Sequence, residues 1–227
     1  MKKLILTSVA ALSVLSASAA YAAEIIVRED NSRAVTHVFL DGYIQKLDDG
    51  FFKHLTEALN DHVIVSLNSR GGDLGAAMRI GSFIRMNQWA TSVDNGDTCN
   101  SACAVIWLSG IKRFLGQYDR IGLHSAAFTE SGKRNDFGNG LVAGYLRTMD
   151  VPEEIMAHMY LTDPDRMYYV GYSEASVLGL LKGSSAWGTD TSFNWLPKGK
   201  PLPRSLNPMI ELIPPAGKTP PLMKINP

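Results

Sequence analysis

Cysteine is almost missing: Cys99 and Cys103 are the only two in 227 residues, so at most one internal disulfide can form. No cluster of His, Cys or carboxylate has metal-ligand spacing, and neither a metal nor any other cofactor is expected. An excess charge of one sign is missing too, since 22 Lys and Arg balance 22 Asp and Glu. With no basic stripe in view, nucleic acid is excluded as a partner. Beyond the first residues no apolar run approaches the ~20 residues of a membrane span. Proline is scarce until late: Pro152 and Pro164 are the only two of 11 before Pro197. No internal repeat is visible.

The N-terminus has the pattern of an export signal. Lys2 and Lys3 precede a short apolar stretch, Leu4 to Leu15, and Ala20-Tyr21-Ala22 fits a small-x-small cleavage site. Cleavage after residue 22 leaves a chain that starts at Ala23 and has 227 − 22 = 205 residues. Loss of Lys2 and Lys3 takes the balance to 20 against 22, a net charge of −2. A bacterial periplasmic protein is expected, in a compartment where disulfides persist. Three segments follow: a signal peptide at 1–22, one domain at 23–195 and a proline-rich tail at 196–227. Nine prolines bar the tail from regular helix or central strand, so it is read as extended or disordered, a flexible terminus with a docking arm as the alternative.

Within the domain, strands are expected at 25–28 and 35–40, then a helix at 48–60 on the spacing of Phe51, Phe52, Leu55 and Leu59. The compact run Val63 to Leu67 reads as a buried strand that feeds Gly71-Gly72 and a helix at about 73–87. A strand at 90–93, a polar loop at 94–100 and a helix at 101–109 come next. Residues 113–115 and 120–124 read as a strand pair. Helices at 141–149 and 152–160 follow, with Pro152 suited to a first turn. A short strand at 167–170 precedes a helix at 173–180 that Ser173 would cap. This alternation of strands and helices is an α/β pattern.

The chemistry gathers around Ser101. A polar loop that runs into the apolar stretch Ala104 to Leu108 puts this serine at a helix N-terminus, where free N–H groups and the helix dipole favour an oxyanion. His124 ends a strand and offers a base. Gly71-Gly72, directly after a strand, offers a turn for close backbone approach. Each feature alone has a plainer meaning: a helix cap, a core histidine, a tight turn. In this order they point to a serine hydrolase.

The ordered motifs resemble those of the Clp protease proteolytic subunit, within the ClpP/crotonase fold. Asn68-Ser69-Arg70-Gly71-Gly72 is similar to its Asn-Ser-Pro-Gly-Gly turn, and Asn100-Ser101-Ala102-Cys103 stands at its nucleophile segment. Gly110-Ile111-Lys112-Arg113, Leu123-His124, Thr162-Asp163-Pro164-Asp165 and Ser173-Glu174-Ala175 match further segments, so the resemblance covers roughly 35–181. It implies a spiral of repeated β-β-α units with a helical C-terminal part. It also implies an ATP-independent serine peptidase acting on peptides or unfolded protein. Ser101, His124 and Asp165 would be its triad, with an oxyanion hole from Gly71 or Gly72 and from Ala102. Residues 70–74 would offer an edge for an extended peptide.

Alternatives stay open. Asp163 competes with Asp165, since Asp-Pro-Asp is also an ordinary turn. Asp73 reads as a helix N-terminal charge, and a serine–lysine dyad has poor candidates in Lys112, Lys133 and Lys182. The stretch from His124 to Asp165 is shorter than in the cytosolic relatives, which puts a stacked double ring in doubt and leaves a homo-oligomer open. No ATPase partner is expected outside the cytoplasm. Arg70 replaces the family's proline. Cys99 just before the helix and Cys103 in its first turn have a spacing that suits a disulfide across the nucleophile loop; otherwise Cys103 is a small buried hydrophobe. The rival function is a non-catalytic binding module on the same fold.

Overall fold

The structure is a computed structural model that describes residues 22–30, 35–59, 62–93 and 96–181. Residues 1–21 of the expected signal segment, the last residues of the expected domain (182–195) and the proline-rich tail lie outside the described residues. The elements run β1 (Glu24–Asp30), β2 (Val35–Asp41), α1 (Asp48–Thr56), β3 (Val63–Asn68), α2 (Leu74–Met86), β4 (Ala90–Val93) and β5 (Cys99–Asn100). Then come α3 (Ala102–Ser109), β6 (Arg113–Leu115), β7 (Arg120–Leu123), α4 (Asp136–Thr148), α5 (Glu153–Leu161), β8 (Tyr168–Gly171) and α6 (Tyr172–Val177). The fold is mixed α/β, as the alternation of patterns implies.

Two sheets divide the strands. The first has the order β1-β2-β3-β4-β6, antiparallel at β1–β2 and parallel elsewhere. The second has the order β5-β7-β8, with β8 antiparallel to β7. The chain visits them in turn. β4 joins the first sheet and β5 the second before α3; β6 joins the first and β7 the second before α4. Shorter versions precede these: after β3, Ser69 bridges Cys99 in parallel before α2, and after β2, Ile44 bridges Gly72 in parallel before α1. Each strand–strand–helix step thus places a short segment beside that of the next step.

This alternation corrects the expected pairing of 113–115 with 120–124, because β6 and β7 belong to different sheets. The β4–β6 ladder runs on through Gly116 N–H to Val93 O at 2.9 Å. The turn closed by Asp119 N–H to Gly116 O at 3.0 Å then sends the chain to the other sheet. The helix expected at 141 starts at Asp136, where the Asn135 side chain accepts the Gly138 N–H at 2.9 Å. Gly138 and Gly140 weaken the helical signal there, but the cap and tertiary packing override propensity. Gly171, not Ser173, is the N-cap of α6, and Pro152 is the N-cap of α5 instead of a first-turn residue.

Packing explains the centre of the fold. β4 is buried throughout and β3 at all but its last residue, as parallel strands covered on both faces should be. All eight residues of α3 are buried. A helix that is apolar all round belongs in an interior, and α3 packs against α2, α4 and strands of both sheets. Thr91 Oγ1 donates to Trp107 O at 2.7 Å, and Trp107 Nε1–H donates to Phe114 O at 3.0 Å. Two buried guanidiniums tie α2 and β6 to the end of α4: Arg85 and Arg113 both donate to the Met149 carbonyl. Burial, with Arg85 nearby, pushes the Arg113 guanidinium down to about 9. No described helix is long and apolar enough to cross a membrane.

Candidate active site

Ser101 joins β5 to the buried helix α3. Its backbone is at φ 57°, ψ −123°, in left-handed space that a residue other than glycine enters at a cost of about 1–3 kcal/mol. Its N–H donates to Gly122 O at 2.8 Å, and Asn100 N–H donates to Ser69 O at 3.0 Å. The side chain makes no capping hydrogen bond, so the hydroxyl is not spent on the helix end. Cys99 and Cys103, one on each side, are joined with sulfurs 2.09 Å apart and Cα atoms 5.1 Å apart. That bond ties the strand end to the first turn of α3 across the serine.

The diglycine turn lies against this elbow. At Gly71, φ is 106°, and a Cβ would fall 2.7 Å from Ser101 Cβ and 2.8 Å from Asn100 O, so only glycine fits. Gly71 O accepts Ile44 N–H at 2.9 Å and Asp73 N–H donates to Ile44 O at 2.8 Å. These bonds flank Gly72, and extended backbone alternates direction, so Gly72 N–H points away from Ile44. Gly72 lines the groove. The N–H groups of Gly72 and Ala102 make no hydrogen bond among the described residues, whereas Gly71 N–H is held by Ser69 Oγ at 3.0 Å. Of the three expected oxyanion donors, Gly71 is therefore the one already engaged. The expected peptide edge at 70–74 is likewise half used, since Ile44 occupies one side. Asp73 caps α2, its carboxylate accepting Ala76 N–H at 2.7 Å.

His124 follows β7 and lines the same groove as Ser101, Ala102 and Gly72. The groove encloses about 500 Å³, with Tyr43, Phe128, Val142 and Met159 among its walls. Nδ1 of His124 lies 2.7 Å from Ser125 O. A carbonyl only accepts, so Nδ1 carries the proton and Nε2 is left as the acceptor. That tautomer suits a base.

The carboxylates stand apart from it. Asp163 pairs with Arg134 at 2.8 Å. Asp165 is exposed, and no hydrogen bond or ion pair joins it to His124 among the described residues. The 162–165 turn is nonetheless next to the histidine in the fold, because Ser125 N–H donates to Thr162 O at 2.9 Å. The loop after His124 is fastened by Ala126 N–H to Asn139 Oδ1 at 2.7 Å. The sequence alone does not single out Ser125 or Asn139, and it offers Thr162 only as part of the 162–165 segment. Two of them act through main-chain carbonyls, which leave no mark on residue type; a lone Asn inside a glycine-rich helix gives little more.

No protein-family model matches the chain, and no curated protein matches it in sequence. Among solved structures the chain is similar to a point mutant of ClpP1 from Listeria monocytogenes, at 20% identity and a TM-score of 0.48, over 64% of this chain and 88% of that one. It is also similar to a point mutant of the 1510-N membrane-bound stomatin-specific protease, at 15% identity and a TM-score of 0.49, over 63% of this chain and 75% of that one.

Proposed function

We propose that the chain is a ClpP-like serine peptidase, exported to the periplasm, that cuts peptides or unfolded protein without ATP. The observation that carries the proposal is the strained Ser101 elbow, whose uncapped hydroxyl shares a groove with His124 and with two unengaged N–H groups. Ser101 Oγ attacks the scissile carbonyl and His124 Nε2 takes its proton. The oxyanion forms against Gly72 and Ala102 N–H. His124 returns the proton to the leaving amine, and water then hydrolyses the acyl-enzyme by the same route. An extended peptide would lie along the free side of Gly72. The alternation of the chain between two sheets supports a spiral of β-β-α units.

The third position differs from the expected triad. The Ser125 carbonyl fixes the tautomer of His124, yet a neutral acceptor stabilises the imidazolium less than a carboxylate does. Asp165 is proposed as an auxiliary charge on the adjoining turn.

Labelling of the folded chain with a fluorophosphonate tests the reading. Wild type should label, Ser101→Ala should not, and His124→Ala should slow labelling by about 10²–10⁴-fold. A folded wild-type chain that never labels, at any concentration that allows oligomers, would leave the groove as a binding surface only.

A further inference from the structure

Asp48 opens α1 and is 5% exposed. Its Oδ2 accepts two backbone N–H groups, Gln45 at 2.7 Å and Ala23 at 3.3 Å. No ion pair reaches it among the described residues; the neighbouring Asp49 takes Arg79 of α2 at 2.6 Å. A buried carboxylate held only by neutral donors lacks charge compensation. Ala23 is itself 6% exposed, and it is the residue that cleavage after Ala20-Tyr21-Ala22 makes the first. Cleavage would turn a neutral peptide N–H into an ammonium at the atom that already faces the carboxylate.

The position of this contact matters for the groove. Asp48 closes the turn on Gln45, and the preceding residue Ile44 makes both hydrogen bonds that flank Gly72. A Cβ on Gly72 would fall 2.0 Å from Ile44 O, so the two backbones are in close contact. We propose that the α-ammonium of a chain beginning at Ala23 ion-pairs with buried Asp48, and that this pair fixes the Ile44 segment that aims the Gly72 N–H. Asp48 is then a positioning residue. The relay to Gly72 rests on the peptidase reading and the ammonium on the leader reading; the ion pair itself does not depend on catalysis.

The pair has a definite pH signature. A carboxylate at this distance favours the charged ammonium and burial opposes it; the pair forms only where the carboxylate outweighs burial, which holds the ammonium above its usual range of about 7.7–8.0. The pair's stabilisation is then fully present below about pH 8 and is lost as pH rises through the raised value. The charged and titratable groups nearest to the pair along the surrounding segments are Glu24 of β1, Asp41 of β2, Tyr43 and Lys46 of the turn and the Asp49–Arg79 pair. They are identical in every chain compared, as is Arg113, which burial brings into the same pH range.

Three chains running to Pro227 test it: one starting at Ala23, one with Gly-Ser added before Ala23, and Asp48→Asn starting at Ala23. Urea midpoints at about pH 7 and about pH 10 bracket the ammonium titration. The Ala23 chain should exceed the extended chain at the lower pH and lose that margin at the higher. Asp48→Asn should show no such margin over the extended chain. Fluorophosphonate labelling of the extended chain should fall by about tenfold, a fraction of what loss of a whole oxyanion donor costs. A margin that is absent at pH 7, or unchanged at pH 10, overturns the ion pair. A pH-dependent margin with equal labelling overturns the relay. A pH-dependent margin with no labelling in any chain overturns the peptidase reading and leaves the ion pair standing.

Discussion

On one side of the groove Ser101 is held by the bond between Cys99 and Cys103, by its own N–H on Gly122 O and by Gly71 pressed against its Cβ. On the other side of His124, the 162–165 turn meets the strand end through Ser125 N–H to Thr162 O, and Asp165 is exposed. The proposed nucleophile and oxyanion donors sit on backbone that is fixed on every side; the proposed carboxylate has no contact with the histidine among the described residues. Electrostatic preorganisation around a developing oxyanion is usually the largest catalytic term. On the peptidase reading, a fold that fixes this half and leaves the carboxylate apart from the histidine keeps the larger part of the effect.

The largest expected effect comes from Gly71→Ala. Its Cβ would meet Ser101 Cβ at 2.7 Å and Asn100 O at 2.8 Å, on a backbone with φ 106°. Neither neighbour can retreat, since the serine is itself strained and Asn100 is in β5. A loss of about 3 kcal/mol in urea unfolding is expected, with loss of fluorophosphonate labelling. A stable, labelled Gly71→Ala protein would show that the elbow has slack and would dissolve the contrast between the two sides.

The paired Cys99→Ser and Cys103→Ser changes come next. The bond spans a sequence separation of 4, a short loop, for which chain entropy gives about 2 kcal/mol. Labelling should slow in parallel with the loss of order at the elbow. If stability falls while the labelling rate holds, the bond serves the fold and the strained serine is fixed by α3 and Gly71 alone.

What the sequence made legible follows from which atoms do the work. That Ser101, His124 and Gly71-Gly72 belong together is legible because the proposed role of each rests on its side-chain type, or on the lack of a side chain; the fold brings them to one groove. Asp73 reads as a helix N-terminal charge, and the fold makes it the N-cap of α2. The Ser125 and Thr162 carbonyls are not legible, because every residue has one. The strand at 63–67 is plain from its short apolar run, but which sheet 113–115 and 120–124 would join depends on a four-residue turn, Gly116 to Asp119. The helix expected at 48–60 rests on its apolar spacing, which says nothing of Asp48 and Asp49. Only the fold shows that the first is buried against Ala23 while the second reaches Arg79.

Asp165→Asn carries the smallest expected effect and defines the comparison most sharply. In a fully built triad the carboxylate both sets the tautomer and stabilises the imidazolium. Here the Ser125 carbonyl already sets the tautomer, at 2.7 Å from Nδ1. What remains for Asp165 is a charge acting through solvent from an exposed turn, where screening is strong. Labelling should therefore slow by no more than about tenfold, well short of the roughly 10²–10⁴ expected when the base itself is removed. Asp163→Asn should act no more strongly on labelling, since its carboxylate is committed to Arg134. A loss of about 10³-fold or more in Asp165→Asn would mean that the turn moves during the reaction, past the Ser125 N–H bond that now anchors it, and brings the carboxylate onto Nδ1. The carboxylate side would then be the moving part of the enzyme, and the labelling rate would depend on that movement as well as on the chemistry at Ser101.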